Sequence, residues 1–167
     1  MPAKLSNPRD LFLQLLGEAL YVERRLAGEV LDELIRAAQD EELVQGLRNH
    51  LEQTRQHAAR AETVFRSFAA EPSAARSASF DGLVGRHDEI AAKIVLPRVA
   101  DFFHAAAAAE TEHYEIALYT ALVRYAAALG AERVAQALEE TLEEERAALE
   151  TVERALERLA PEATTQG

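Results

Sequence analysis

Helix breakers are so widely spaced in this chain that little other than long helices can form. It has 7 glycines and 5 prolines in 167 residues. Between them, apolar side chains recur with the period of 3.6 that marks one face of a helix. Four such stretches run from Leu11 to about Ala38, Asp40 to about Ala69, Pro97 to Leu129 and Ala131 to about Leu159. Each is more than twice the usual helix length of about 11–12 residues. The punctuation agrees with these limits. Asn7-Pro8 with Asp10 is a helix start, Asp40-Glu41-Glu42 a second one, Gly130 a C-cap and Pro161 a stop. The links between the first and second stretches, and between the third and fourth, are too short for anything but antiparallel hairpins. A long crossover joins the hairpins and carries a further helix from about Ala78 to Ile94, after the Glu71-Pro72-Ser73 break. The expectation is one all-α domain over residues 1–167, bundled from about 8 to 160. Its ends, including the tail from Glu162 to Gly167, are expected to be disordered.

Set against this pattern, several polar residues stand on the wrong side. At about 100° per residue, Phe12, Leu16, Leu20, Ala27, Val30 and Leu34 surround Glu23. In the last helix Val134, Leu138, Leu142, Leu149, Val152, Leu156 and Leu159 form a stripe with Glu145 near its centre, while Glu143 and Glu144 point away. Glu112 and Glu115 fall within the arc of Ile116, Tyr119, Leu122 and Val123. Glu110 faces out, so Glu110-x-x-His113 is not the expected ligand pair. His50 and His57 lie along one margin of the second helix's stripe, with Gln53 slightly further round. A lone core histidine is commonly a hydrogen-bonded structural residue. Tyr114, Tyr119 and Tyr125 read as packing residues with wet hydroxyls. Buried Glu23 and Glu145 are harder to explain. An unpartnered buried carboxylate costs several kcal/mol, and Arg24 and Arg25 diverge from Glu23 on the wheel. A shared proton or a bound cation is the remaining solution, and acids on facing helices of a bundle are how dinuclear metal sites are built.

Composition narrows the function classes. With no cysteine there is no disulfide, thiolate zinc site, iron–sulfur cluster or cysteine nucleophile. A net charge of -11 disfavours nucleic acid and anionic membranes and favours cations. No apolar run spans a bilayer and Met1 to Asp10 lacks a signal-peptide core, so a cytoplasmic location is expected.

The motifs carry a resemblance. Leu11-Phe12-Leu13 with Glu23-x-x-Leu26, His50-Leu51-Glu52-Gln53-Thr54 with His57 and Arg60-Ala61-Glu62, Asp81-Gly82-Leu83, and above all Glu112-His113-Tyr114-Glu115-Ile116-Ala117-x-Tyr119 with Thr141-Leu142-Glu143-Glu144-Glu145-Arg146 resemble the YciE/YciF-type ferritin-like family. The similarity runs from about residue 8 to 160. It implies a ferritin-like four-helix bundle, commonly dimeric, associated with bacterial stress and able to hold a dinuclear metal centre. The family has no settled reaction. Two positions depart from its pattern: Gln53 stands where Glu is frequent, and Leu149 where Asp is usual. The expected metal ligands are Glu23, His57, Glu112, Glu115 and Glu145, with His50 and Gln53 in support, and the expected metal is iron or manganese. Three readings follow. The first is a di-iron or di-manganese protein that oxidises ferrous iron with oxygen or peroxide. The second is a non-enzymatic stress or scaffold bundle with a degenerate site. The third is a peroxidase or manganese-catalase-like enzyme.

Overall fold

The structure, a computed structural model, describes residues 5–165. Its elements are α1 (Pro8–Arg25), a π-helical segment (Leu26–Val30), α2 (Leu31–Ala37), α3 (Glu41–Ser67), α4 (Ala78–Ala91), α5 (Pro97–Ala128) and α6 (Glu132–Thr164). The first hairpin pairs the continuous rod α1–π–α2 with α3, and the second pairs α5 with α6. Helix α4 sits in the crossover against α5. Among the described residues there is no strand, and no helix is long and apolar enough to cross a membrane.

The expected signals terminate the helices. Asn7 Oδ1 accepts the Asp10 amide at 2.9 Å ahead of Pro8, and Gly130 adopts φ +74, the left-handed cap that glycine takes without strain. Asp40 Oδ1 caps α3 through the Leu43 amide at 2.8 Å. Asp40 also receives both guanidinium branches of Arg158 from α6, at 2.6 and 2.8 Å. Buried Asp101 of α5 accepts the Gln39 and Asp40 amides at 2.9 and 3.0 Å. One short turn thereby ties both hairpins together at this end of the bundle.

Two features differ from the sequence expectation. In the first rod, Phe12, Leu16, Leu20 and Glu23 are buried as the wheel requires, but Ala27 and Val30 are only half-buried, and Leu26 and Leu31 fill the core instead. The π segment winds more residues into a turn, so the apolar stripe slips in phase immediately after Glu23. At the other end, α6 continues through Pro161 to Thr164 rather than stopping. A proline in the last turn forfeits one backbone hydrogen bond there. The end is secured by Arg98 Nη2 donating to Thr165 O at 2.7 Å. The expected disorder from Glu162 onward is thus corrected through Thr164. Met1–Lys4, Gln166 and Gly167 lie outside the described residues.

The crossover is laid over α1 at a glycine. The Ala75 amide donates to Gly17 O at 2.8 Å, and a Cβ on Gly17 would meet Ser73 O at 2.7 Å. Backbone on both sides leaves nothing cheap to move. Gly17→Ala is expected to destabilise by about 1–3 kcal/mol, lowering Tm by roughly 2–4 °C per kcal/mol. A thermal melt at wild-type stability would show that the crossover yields freely.

The core has two apolar layers. One centres on Phe12, Leu16, Leu20, Phe65, Leu122 and Leu138, the other on Leu26, Leu31, Leu47, Phe80, Val152 and Leu159. Charged side chains occupy the level between them.

Candidate metal centre

That level is built from all four long rods. α1 supplies Glu23, α3 supplies His50 and His57 two turns apart, α5 supplies Glu112 and Glu115 at i, i+3, and α6 supplies Glu145. Each is buried, with Glu23, His57 and Glu145 at 0% exposure. They form two groups whose candidate ligand atoms lie within 4.8 Å of one another and could hold a metal ion. One group is His50, Glu112, Glu115 and Glu145; the other is Glu23, His57 and Glu145. Glu145 belongs to both. His50 Nε2 is 3.2 Å from Glu112 Oε1 and 4.0 Å from Glu145 Oε2. His57 Nδ1 is 3.6 Å from Glu23 Oε2 and 2.8 Å from Glu145 Oε1.

Proximity does not satisfy these atoms. His57 Nδ1 and Glu145 Oε1 are close but not aligned for a hydrogen bond. Of the twelve buried side-chain nitrogen and oxygen atoms without a hydrogen-bond partner among the described residues, nine belong to this cluster. They include both oxygens of Glu115 and Glu145 and both ring nitrogens of His50. Natural cores rarely leave polar atoms orphaned, and here they converge on one place.

The electrostatics carry the same strain. Burial, with the neighbouring Glu145 charge added, raises the Glu23 carboxyl to about 7 against the pull of His57. Burial and nearby carboxylates hold Glu112 and Glu115 well above the usual range. Burial opposes the charged form of His57, but Glu145 and Glu23 outweigh it and raise the imidazole to about 10. His50 moves the other way, lowered chiefly by burial. Glu23, His57, Glu112 and Glu115 are thus shifted toward their protonated forms, as acids gathered without a neutralising cation are.

Supporting contacts hold the cluster in shape. Tyr119 is buried, and its hydroxyl donates to Glu23 Oε1 at 2.5 Å, leaving Oε2 to face the cluster. The expected wet hydroxyl is therefore corrected for Tyr119. Glu144, expected to point away, is half-buried and lies 2.9 Å from His57 Nε2. Arg60 Nη1 anchors it at 2.9 Å and also donates to Thr141 Oγ1 at 2.5 Å. A carboxylate on the outer nitrogen fixes which ring nitrogen faces inward, the usual support of a metal-binding histidine. The helical wheel missed Glu144 because its backbone does face outward; only the side chain folds back.

Gln53 is half-buried, one turn along α3 from His50, and lines a cavity beside it. His113 is exposed, and Glu110 is exposed and paired with Arg86 at 2.7 Å. Arg24 and Arg25 pair with Glu62 and Glu29, not with Glu23. Leu149 is half-buried and packs into an apolar layer.

Comparison with known proteins agrees with this architecture. The family described as a domain of unknown function, DUF892, matches residues 7–165. The chain belongs to the DUF892 family. It is 34% identical to protein YciF of Escherichia coli (strain K12) over 139 residues, 83% of each chain. The solved structure of the E. coli stress protein YciF matches with a TM-score of 0.88 at 30% identity, over 94% of this chain and 99% of that one. YcfI from Rhodopseudomonas palustris, which carries the description of a structural protein, matches with a TM-score of 0.88 at 33% identity, over 92% and 97%. The resemblance read from the motifs is thus the one the whole DUF892 chain bears.

Proposed function

We propose that this DUF892 protein is a metal-binding stress protein whose cluster holds a pair of iron or manganese ions, with Glu23, His50, His57, Glu112, Glu115 and Glu145 as ligands and Gln53 beside them. The observation that carries the reading is the convergence of nine orphaned buried atoms from these six side chains on two groups sharing Glu145. The donor set suits the metal: four carboxylates neutralise two divalent ions, and mixed carboxylate and imidazole donors fit iron or manganese. When bound, such a pair would provide the redox centre at which ferrous iron gives up electrons and oxygen or peroxide accepts them. The chain's own part is positional. Glu145, which belongs to both groups, would serve both ions; Glu144 and Arg60 hold the His57 ring; Tyr119 turns Glu23; the apolar layers keep bulk water away. A cytoplasmic homodimer is the setting the family resemblance supports.

A second reading has its own observation. Leu149 packs in the core where the family usually has Asp, and YcfI is described as a structural protein. In that reading the bundle is a non-enzymatic stress protein, and its acids stay protonated.

Metal content per chain separates the two. Elemental mass spectrometry of protein purified without chelator, then loaded aerobically with ferrous iron, is expected to find close to two metal ions per chain. Glu145→Ala, which removes the shared ligand, should bind far less of both, and Glu23→Ala less of one. Equal stoichiometry in wild type and Glu145→Ala would exclude this centre, and no metal in wild type would favour the structural reading.

A further inference from the structure

The two ligand groups meet the outside differently. The Glu23–His57–Glu145 group is walled in: all three side chains are fully buried, Tyr119 closes on Glu23, and the Arg60–Glu144 pair lies across the outer edge of His57. In the other group, His50 and Glu112 form part of the wall of a cavity of about 210 Å³ between α3 and α6. Glu42, Gly46, Asn49 and Gln53 line it from α3 at spacings of four, three and four, which is one face of a helix. Ala147, Ala148 and Thr151 line it from α6. Small side chains keep the space open. Oxygen-bearing ones mark its length, from exposed Glu42 and Asn49, through half-buried Gln53, to buried Glu112. Arg158 Nε lies 3.0 Å from Glu42 Oε2 at the outer end, an exposed ion pair. At the inner end both ring nitrogens of His50 and Oε2 of Glu112 lack a partner.

We infer that this cavity is the route by which a divalent metal ion reaches the cluster, so that the His50 group fills from outside and the His57 group fills through it. The inference rests on the metal reading above. A divalent cation sheds its water only where other oxygens replace it, and the carboxylate and amides along α3 provide such a file. The net charge of -11 raises the local cation concentration at the surface. Leu43, Leu47, Val152 and Ala155 of one apolar layer make up the rest of the cavity wall; elsewhere the layers offer a cation no file of oxygens, and crossing them carries a large desolvation cost.

The test uses wall residues that hold no metal in this scheme. Mn²⁺ is added to the metal-free full chain, uptake is followed by loss of the free-ion electron paramagnetic resonance signal, and release is followed after addition of EDTA. Ala148→Leu and Gly46→Leu are expected to slow both processes by about tenfold or more, because access then needs the helices to part, while the final Mn²⁺ content stays that of wild type. Gly46→Ala, whose added Cβ comes no closer than 3.5 Å to Thr151 Cγ2, keeps the fold if the leucine variants do not, and should slow exchange measurably. Ala121→Leu, in a surface groove beside Leu11 and Tyr125, should exchange as wild type does. Wild-type rates in the folded wall variants at full loading would overturn the route and leave the metal centre standing. Absence of any Mn²⁺ uptake by wild type would overturn both.

Discussion

Glu115→Gln should make the metal-free protein more stable at neutral pH and at the same time cost it metal. Glu115 is 1% exposed, and neither of its oxygens has a hydrogen-bond partner. Burial first, then the charges of Glu145, Glu23 and Glu112, raise its carboxyl well above 4.5. The unfolded chain releases that proton near 4.5, whereas the folded chain keeps it to higher pH. The native state therefore loses stability as pH rises above 4.5. Glu23 adds to the loss between 4.5 and about 7. His57, raised from 6.5 to about 10, adds to it between those values, because its folded form also holds its proton the longer. At the acid end the order reverses. Asp40, Asp81 and Glu62, lowered chiefly by their hydrogen bonds to Arg158, Tyr21 and Arg24, stabilise above their unfolded values of 3.8–4.5 and lose that contribution as pH falls through the lowered ones. Metal-free wild type should thus melt highest near pH 5 and lower at pH 8. In Glu115→Gln the drop from pH 5 to pH 8 should shrink. The gain at pH 8 is about 1.4 kcal/mol for each pH unit over which the folded carboxyl keeps a proton that the unfolded one has released, and each kcal/mol corresponds to roughly 2–4 °C. The same variant should bind one metal ion fewer. An unchanged pH dependence would mean that Glu115 is not held against its charge.

Adding metal should produce the larger stability change. A ligand that binds only the folded state at about a thousand times its dissociation constant contributes roughly 4 kcal/mol, or roughly 8–16 °C in Tm for a chain of this size. Fe²⁺ under anaerobic conditions, or Mn²⁺, should therefore raise the melting temperature well above that in EDTA. The shift should grow from pH 6 to pH 8, since the ion displaces protons held by Glu23, Glu112 and Glu115. Glu145→Ala should show little of it. A melt that is the same in metal and in EDTA would place the protein with the structural reading, its acids held by protons and water.

The bundle, its long crossover and the inward placement of Glu23, His50, His57, Glu112, Glu115 and Glu145 were legible from the chain alone. All of these depend on helical phase, which a continuous backbone sets locally at about 100° per residue. Three adjacent glutamates made the point: phase alone separates Glu145, at 0% exposure, from exposed Glu143. Where the backbone left that phase, the reading slipped. The π segment at Leu26–Val30 moved burial from Ala27 and Val30 to Leu26 and Leu31, and no residue in Leu26-Ala27-Gly28-Glu29-Val30 announces it. What tertiary structure decided was everything that crosses between rods. It divided six ligand candidates into a group of four and a group of three joined at Glu145. It folded Glu144 back onto His57, set Tyr119 on Glu23 and buried Asp101 as a cap for the α2–α3 turn. Side-chain rotamers and interhelical separations depend on how the four rods pack together, and periodicity within one rod carries no information about either.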